Sequence, residues 1–305
     1  MSINVRIAID TNVLIYDLLK ETIEDTHPFK TILNFFFEEI RKRKLKLIIL
    51  KPVLEEAKSL LNDTYDFLVN NLRDIKKKVG SSKQIDPYFV IEQHLTNVIR
   101  DLSNEQVQII TSLHNKPREA LKEIWKCERS KRFLRYLEYL IVSKLMGTGS
   151  ANLNKVIDDL IITLDKERKF HHTFLISVTS GQTDLYEFRR LSRDEERCLA
   201  RVEPYVKHLR LPSDDLKILL YLFVCQIIDN TYILFITTDY TLLQKKDDLC
   251  TKYMIPITSP TYAFYMFDLI KNGQIYPYPP RQQVSSGLSS QWQMIFEQCV
   301  RGGVI

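Results

Sequence analysis

Glycine is scarce in this 305-residue chain, with 8 against 11 prolines. That scarcity excludes a sandwich or propeller, which needs a glycine-bearing turn every few residues. No stretch approaches the ~18 apolar residues of a membrane span, and the longest candidate, Ile218 to Cys225, is bounded by Lys217 and Gln226. A basic leader with a small-residue cleavage site is also missing, because Ile3 to Ile9 runs straight into Asp10 and Asn12; a signal peptide is not expected, and the cytoplasm is the expected compartment. The five cysteines, Cys127, Cys198, Cys225, Cys250 and Cys299, stand far apart with no CxxC and no Cys/His cluster, a pattern of reduced thiols and not of a zinc site. The one adjacent histidine pair, His171 and His172, points apart on either a helix or a strand, which does not suit shared ligation.

Hydrophobic residues make up 45% and charged residues 27% of the chain, enough apolar surface to offset chain entropy and fold one enlarged domain or two joined ones. The net charge of +5 permits an anionic partner without demanding one. Its distribution is uneven: between Lys116 and Gly147 about nine basic residues face about four acids.

Strand and helix alternate at both ends of the chain. Ile3, Val5, Ile7 and Ile9 follow a two-residue period that stops at Asp10-Thr11-Asn12. Pro28 to Lys44 carries Phe29, Ile32, Leu33, Phe36, Phe37 and Ile40 at helical spacing and ends in basic residues that suit the macrodipole. Leu45 to Leu50 reads as a buried strand, and Lys51-Pro52 as a helix start with Glu55 and Glu56 in its first turn. Later, Pro212-Ser213-Asp214-Asp215 opens an almost wholly apolar helix through Ile228. Tyr232 to Ile236 is the next strand, closed by Thr237-Thr238-Asp239 at a further helix start; Tyr253 to Ile257 reads as a short strand and Pro260 to Lys271 as a helix. Between about Asn62 and Glu203 the patterns are mainly helical, and the one strand candidate, His172 to Val178, equally suits a helix end. The fold class is therefore α/β with a central parallel sheet, interrupted by a mostly helical insertion. After the extended Tyr276-Pro277-Tyr278-Pro279-Pro280, the tail presents Trp292, Ile295, Phe296 and Cys299 on one side of a short amphipathic helix. That helix is expected to dock on its own domain, with a partner-binding arm as the alternative.

Asp10, Glu56, Asp215 and Asp239 each fall at the carboxyl end of a strand or in the first turn of a helix on that side of the sheet, the edge where open α/β sheets bind ligands. Any one of them is explained as a helix cap. Four converging within ~5 Å would repel by ~3 kcal/mol per pair even at an effective dielectric of 20, unless protons or cations neutralise them. Oxygen-only ligation selects hard cations, Mg²⁺ or Mn²⁺, and such ions suit hydrolysis of a phosphodiester.

Taken in order, Ile7-Ala8-Ile9-Asp10-Thr11-Asn12-Val13-Leu14, Val53-Leu54-Glu55-Glu56, Asp215-Leu216-Lys217-Ile218-Leu219 and Phe235-Ile236-Thr237-Thr238-Asp239 resemble the four acidic motifs of PIN-domain nucleases. The resemblance covers residues 1–62 and 204–271. It leaves 63–203 as a helical insertion, a departure from the compact family pattern, and 272–305 as a tail. It implies a three-layer α/β/α nuclease fold, one or two Mg²⁺ or Mn²⁺ ions, and endonucleolytic cleavage of RNA leaving a 5′ phosphate. It implies Asp10, Glu56, Asp215 and Asp239 as the metal-binding acids, with Asn12 and Thr237 or Thr238 holding carboxylates by hydrogen bonds. Glu55 and Asp214 are the register alternatives.

Lys122, Lys126 and Arg129 share one helix face, which Arg132 and Arg135 continue near Phe133 and Tyr136. The face suits phosphates and the aromatics suit unpaired bases, although a solvated helix exterior over core aromatics explains the pattern as well. The expected activity is a metal-dependent endoribonuclease acting on single-stranded RNA. The competing expectation is a PIN-like scaffold that binds RNA or protein through the insertion, with the tail as a second route to a protein partner.

Overall fold

The computed structural model describes residues 3–19, 30–81, 87–113, 117–148, 153–206, 211, 213–285 and 297. The chain divides into two compact units, one made of Met1–Ala57 with Leu175–Ile305 and the other of Lys58–Phe174.

The first unit holds a five-stranded, wholly parallel sheet: β1 (Val5–Ile9), β2 (Leu47–Leu50), β3 (Tyr186–Arg189), β4 (Tyr232–Ile236) and β5 (Ile257–Thr258), in the spatial order β3-β2-β1-β4-β5. Ile7 of β1 lies opposite Leu47 on one side and Leu234 on the other. β2 and β4 are buried along their whole length, as unbroken apolar runs should be when both faces of a parallel sheet are covered. From β1 the chain builds outward to β2 and β3, then returns to place β4 and β5 on the other flank. The order reverses between β1 and β4, and beyond the carboxyl ends of strands at such a reversal open sheets leave a crevice for ligands.

The helices of this unit follow from local chemistry. α1 (Thr11–Leu19) leaves β1 directly, and α2 (Lys30–Lys42) buries Leu33, Phe36, Phe37 and Ile40 and ends in Arg41 and Lys42. α3 (Lys51–Ser81) starts where β2 stops, with Pro52 in its first turn. Of the later helices, α8 (Ser213–Asp229) buries every residue from Ile218 to Ile227 and packs on β2 and β4. Its one interior amide, Gln226, is satisfied twice: Oε1 accepts from the Ile233 amide at 2.9 Å and Nε2 donates to the Met254 carbonyl at 3.2 Å. That pairing ties α8, β4 and the approach to β5 together. Beyond β4 come α9 (Tyr240–Gln244), α10 (Lys246–Lys252), a 3-10 turn at Pro260–Tyr262, α11 (Ala263–Lys271) against β1 and β4, and α12 (Pro280–Ser285).

The second unit is helical. It takes residues of α3 from Lys58 onward, α4 (Pro87–Ser112), α5 (Pro117–Thr148) and α6 (Leu153–Thr179) as far as Phe174. Leu68, Leu72, Leu134, Leu137, Ile141 and Ile157 form its core. His171 is buried there, its Nδ1 2.8 Å from the Tyr65 hydroxyl, a satisfied core histidine.

Several sequence expectations are corrected. Of the two readings open for His172 to Val178, the helical one holds, since the segment ends α6. The third strand is instead Tyr186–Arg189, followed by α7 (Arg193–Val206); both lie in the first unit, so the second unit is shorter than the expected 63–203 insertion. Only Ile257 and Thr258 pair with β4, because Lys252 closes α10 and Met254 turns the chain at a φ of 53°. Glu55 and Glu56 lie in the second turn of α3, since the helix begins at Lys51. Cys127, Cys225 and Cys250 are free thiols, but Cys198 is disulfide-bonded, against the expectation of five reduced cysteines. The expected tail helix with Trp292, Ile295, Phe296 and Cys299 lies outside the described residues.

Candidate carboxylate site at the sheet edge

Asp10 is the first residue beyond β1. Its amide donates to the Ile236 carbonyl at 2.9 Å, which fixes the strand's end to β4, and its own carbonyl accepts from Val13 and Leu14 to start α1. The side chain is 4% exposed. Oδ1 accepts from the Thr11 amide at 2.7 Å and Oδ2 from the Thr237 hydroxyl at 2.6 Å. Burial pushes the carboxyl up to about 7; the charges of Glu56 and Asp239 add to the rise, while the Thr237 and Thr11 hydrogen bonds oppose it.

Two threonines brace the neighbouring acids. The Thr11 hydroxyl donates to Glu56 Oε2 at 2.7 Å. The Thr237 hydroxyl, while donating to Asp10, accepts from the Asp239 amide at 2.9 Å. Asp239 then caps α9, its Oδ1 accepting from the amides of Thr241 at 2.7 Å and Leu242 at 3.1 Å. Among the described residues, Glu56 Oε1 and Asp239 Oδ2 accept no hydrogen bond, so each carboxylate keeps one oxygen for another partner.

The structure places Glu56 and Asp239 near enough to Asp10 for their charges to act on it, beyond the carboxyl ends of the central strands. Of the register alternatives on α3, Glu55 is exposed and faces Lys217 Nζ at 3.4 Å instead. Asp215 is half-buried and Asp214 exposed in the first turn of α8, and both have interactions of their own. Neither is among the largest causes of the rise at Asp10. Asn12 is exposed and Thr238 half-exposed, and among the described residues neither bonds a carboxylate. Thr11 takes the place expected of Asn12. Sequence reasoning missed it because a threonine opening a helix looks ordinary; its signal is the position directly after the buried acid, where one residue offers both an amide and a hydroxyl.

The donor set is all oxygen, and its central member resists ionisation unless a cation compensates it. Among the described residues no group of three or more His, Cys, Asp or Glu side chains is placed to hold a metal ion by itself. That geometry is no closed cage of the kind Ca²⁺ takes. The residues that could contribute to an ion are Glu56 and Asp239, through their unbonded oxygens.

The basic face expected on α5 belongs to the second unit, and the side chains of Lys122 and Arg129 lie outside those described. Lys126 is exposed and pairs with Glu123 at 2.9 Å, Arg135 is exposed, and Arg132 is half-buried with an interaction of its own. Phe133 is 6% exposed, so it packs in the core and cannot stack a base. Tyr136 is partly buried, which raises its phenol pKa with help from Glu167 and Tyr139.

Comparison with family models, curated proteins and solved structures yields no match to the chain.

Proposed function

We propose that the chain is a metal-dependent endoribonuclease whose reaction centre lies at the carboxyl ends of β1 and β4. The carrying observation is Asp10: a buried carboxyl, braced at both oxygens, whose pKa is driven up to about 7 by burial and by the negative charge of Glu56 and Asp239. A fold does not keep such a group at a sheet-order reversal for stability, because the ionised form is destabilised there. The PIN-like resemblance of the four motifs supports the same reading, with a three-layer α/β/α nuclease domain as its frame.

In this reading Asp10, Glu56 and Asp239 hold Mg²⁺ or Mn²⁺, with Asp215 contributing from the first turn of α8. Bound there, a hard divalent ion supplies an acidified water and offsets charge on the phosphodiester oxygens. The chain supplies positioning. Thr237 locks Asp10 and Asp239 to each other, and Thr11 locks Asp10 and Glu56. The unbonded oxygens of Glu56 and Asp239 remain available to an ion or to a water proton. A binding-only scaffold is the second reading, favoured by the lack of a three-donor cluster among the described residues.

The deciding experiment compares melting temperatures in EDTA and in millimolar Mn²⁺ and assays cleavage of a single-stranded RNA. Wild type should be stabilised by Mn²⁺ and should cut; Asp10→Asn should lose both effects. An identical melting point with and without the ion would remove the metal-dependent reading. Cleavage at equal rates by wild type and Asp239→Asn would place the activity at another site or in a contaminant.

A further inference from the structure

The edge of the sheet that carries Asp10 also carries groups that the carboxylate chemistry does not use. Beyond β2, Lys51, Glu55, Glu196, Lys217 and Tyr221 line a cavity of about 200 Å³. Beyond β3, Arg189 to Arg193 with Glu195 and Glu196 line an open surface hollow of about 750 Å³. Glu196 borders both, so the two hollows adjoin.

The charges in the larger hollow are unequally matched. α7 opens with three acids, and each is engaged: Asp194 by Arg197 at 2.9 Å, Glu195 by Arg189 and by the Ser192 amide, Glu196 by Lys51 at 3.2 Å. Arg189 is held in turn by Asp229 at 2.9 Å. Arg190 and Arg193 are exposed, and among the described residues their side chains have no acidic partner. Arg193 moreover starts a helix, where the macrodipole disfavours a cation. The ion pairs of Lys51 with Glu196 and of Lys217 with Glu55 are partly exposed, and pairs of that kind are weak enough to yield to an incoming phosphate.

On the opposite flank the chemistry changes. Tyr240, the residue after Asp239, is 63% exposed, and Tyr262, in the 3-10 turn beyond β5, is 61% exposed. Large aromatics this open are placed for a planar partner. From β3 to β5 the same edge therefore reads guanidinium, ammonium, carboxylate, phenol, across about 19 Å at a strand spacing of ~4.8 Å.

We infer that a single-stranded polynucleotide crosses this edge, its phosphates on Arg190, Arg193 and Lys217 and its unpaired bases stacked on Tyr240 and Tyr262, passing over Asp10 between them. The inference rests on the proposed phosphodiester chemistry for its biological sense, but binding is measured apart from cleavage. A duplex lacks the open base faces that the tyrosines would take, while phosphate contacts alone would accept either form.

The test is fluorescence anisotropy with a labelled oligoadenylate of about ten nucleotides, in EDTA so that no ion is available for cleavage, a length within the usual range of single-strand sites. Arg190→Ala with Arg193→Ala should weaken binding about tenfold or more and make the salt dependence shallower by ~1 to 2 phosphate contacts. Tyr240→Ala should weaken it about tenfold, and Tyr240→Trp should restore it. All three positions are exposed, so melting curves of the variants should match wild type. The path is overturned if wild type does not bind the oligonucleotide, if it binds a duplex of the same length equally well, or if these variants bind like wild type. It is also overturned if loss of affinity follows Lys126→Ala and Arg135→Ala instead. Should these variants lose binding while Mn²⁺ fails to stabilise wild type, the path stands and the reaction proposal falls.

Discussion

Replacing Asp10 with asparagine in metal-free buffer should stabilise the protein at alkaline pH, although the residue lies at the proposed reaction centre. The carboxyl's ordinary value is 3.8, and in the fold it rises to about 7, through burial first and the Glu56 and Asp239 charges after it. Between those values the folded chain binds a proton that the unfolded chain releases. Stability is therefore greatest below the unfolded value and falls as the pH climbs to about 7. A span of about three logarithms, at ~1.36 kcal/mol each, amounts to about 4 kcal/mol. Asparagine keeps the shape and carries no charge: its oxygen accepts from the Thr11 amide, and its nitrogen donates to the Thr237 hydroxyl. Reversing that hydroxyl costs ~1 kcal/mol. Urea unfolding in EDTA should thus show Asp10→Asn gaining about 4 kcal/mol on wild type between pH 4 and pH 8, and standing about 3 kcal/mol above it at pH 8 once the hydroxyl reversal is subtracted. Millimolar Mn²⁺ should erase the gain at pH 8 by stabilising wild type alone. Stabilities of wild type and variant that run parallel from pH 4 to pH 8 would refute the reasoning, because they would mean that Asp10 ionises in the fold as easily as in water.

Thr237→Val should cost ~1–3 kcal/mol, since it strips Asp10 Oδ2 and the Asp239 amide of one shared partner, whereas Thr237→Ser should recover most of the loss in the same unfolding assay. Asp239→Ala should lower stability by ~1 kcal/mol through loss of the α9 cap, and Asp239→Asn should keep the cap while losing Mn²⁺-dependent stabilisation; equal stabilities for the two would show that the cap is dispensable. Arg189→Ala should destabilise by ~1–3 kcal/mol, because it removes the guanidinium that Asp229 and Glu195 share and leaves them only Arg6 and the Ser192 amide, and raised salt should reduce the deficit measured by denaturant titration.

The parts of the fold that could be read from the chain are those whose burial writes itself into composition. β1, β2, β4 and α8 are apolar runs bounded by acids or turns, and each is found within a few residues of its expected place. β3 escaped because only Tyr186 of its four residues is buried. An edge strand with Glu187 and Arg189 on it has no apolar run to betray it, only the alternation Tyr-Glu-Phe-Arg. β5 is two residues long, too short for any period. At the site, spacing alone left Glu55 and Glu56 open, since both belong to one helix turn; the choice depends on which of them meets Thr11. Arg190 and Arg193 were unreadable as a hollow until β3 placed them beyond the sheet.

Both margins of the sheet are brief: β3 has four residues and β5 two. A margin offers unpaired amides and carbonyls to any passing extended chain, and brevity limits how many such bonds a stranger can form. At β3 the Arg6–Glu187 and Arg189–Asp229 pairs add charge that an intruding strand would have to bury. The assembly is thus self-terminating, and Glu187 is the gatekeeper whose exchange for valine would invite intermolecular pairing at high concentration.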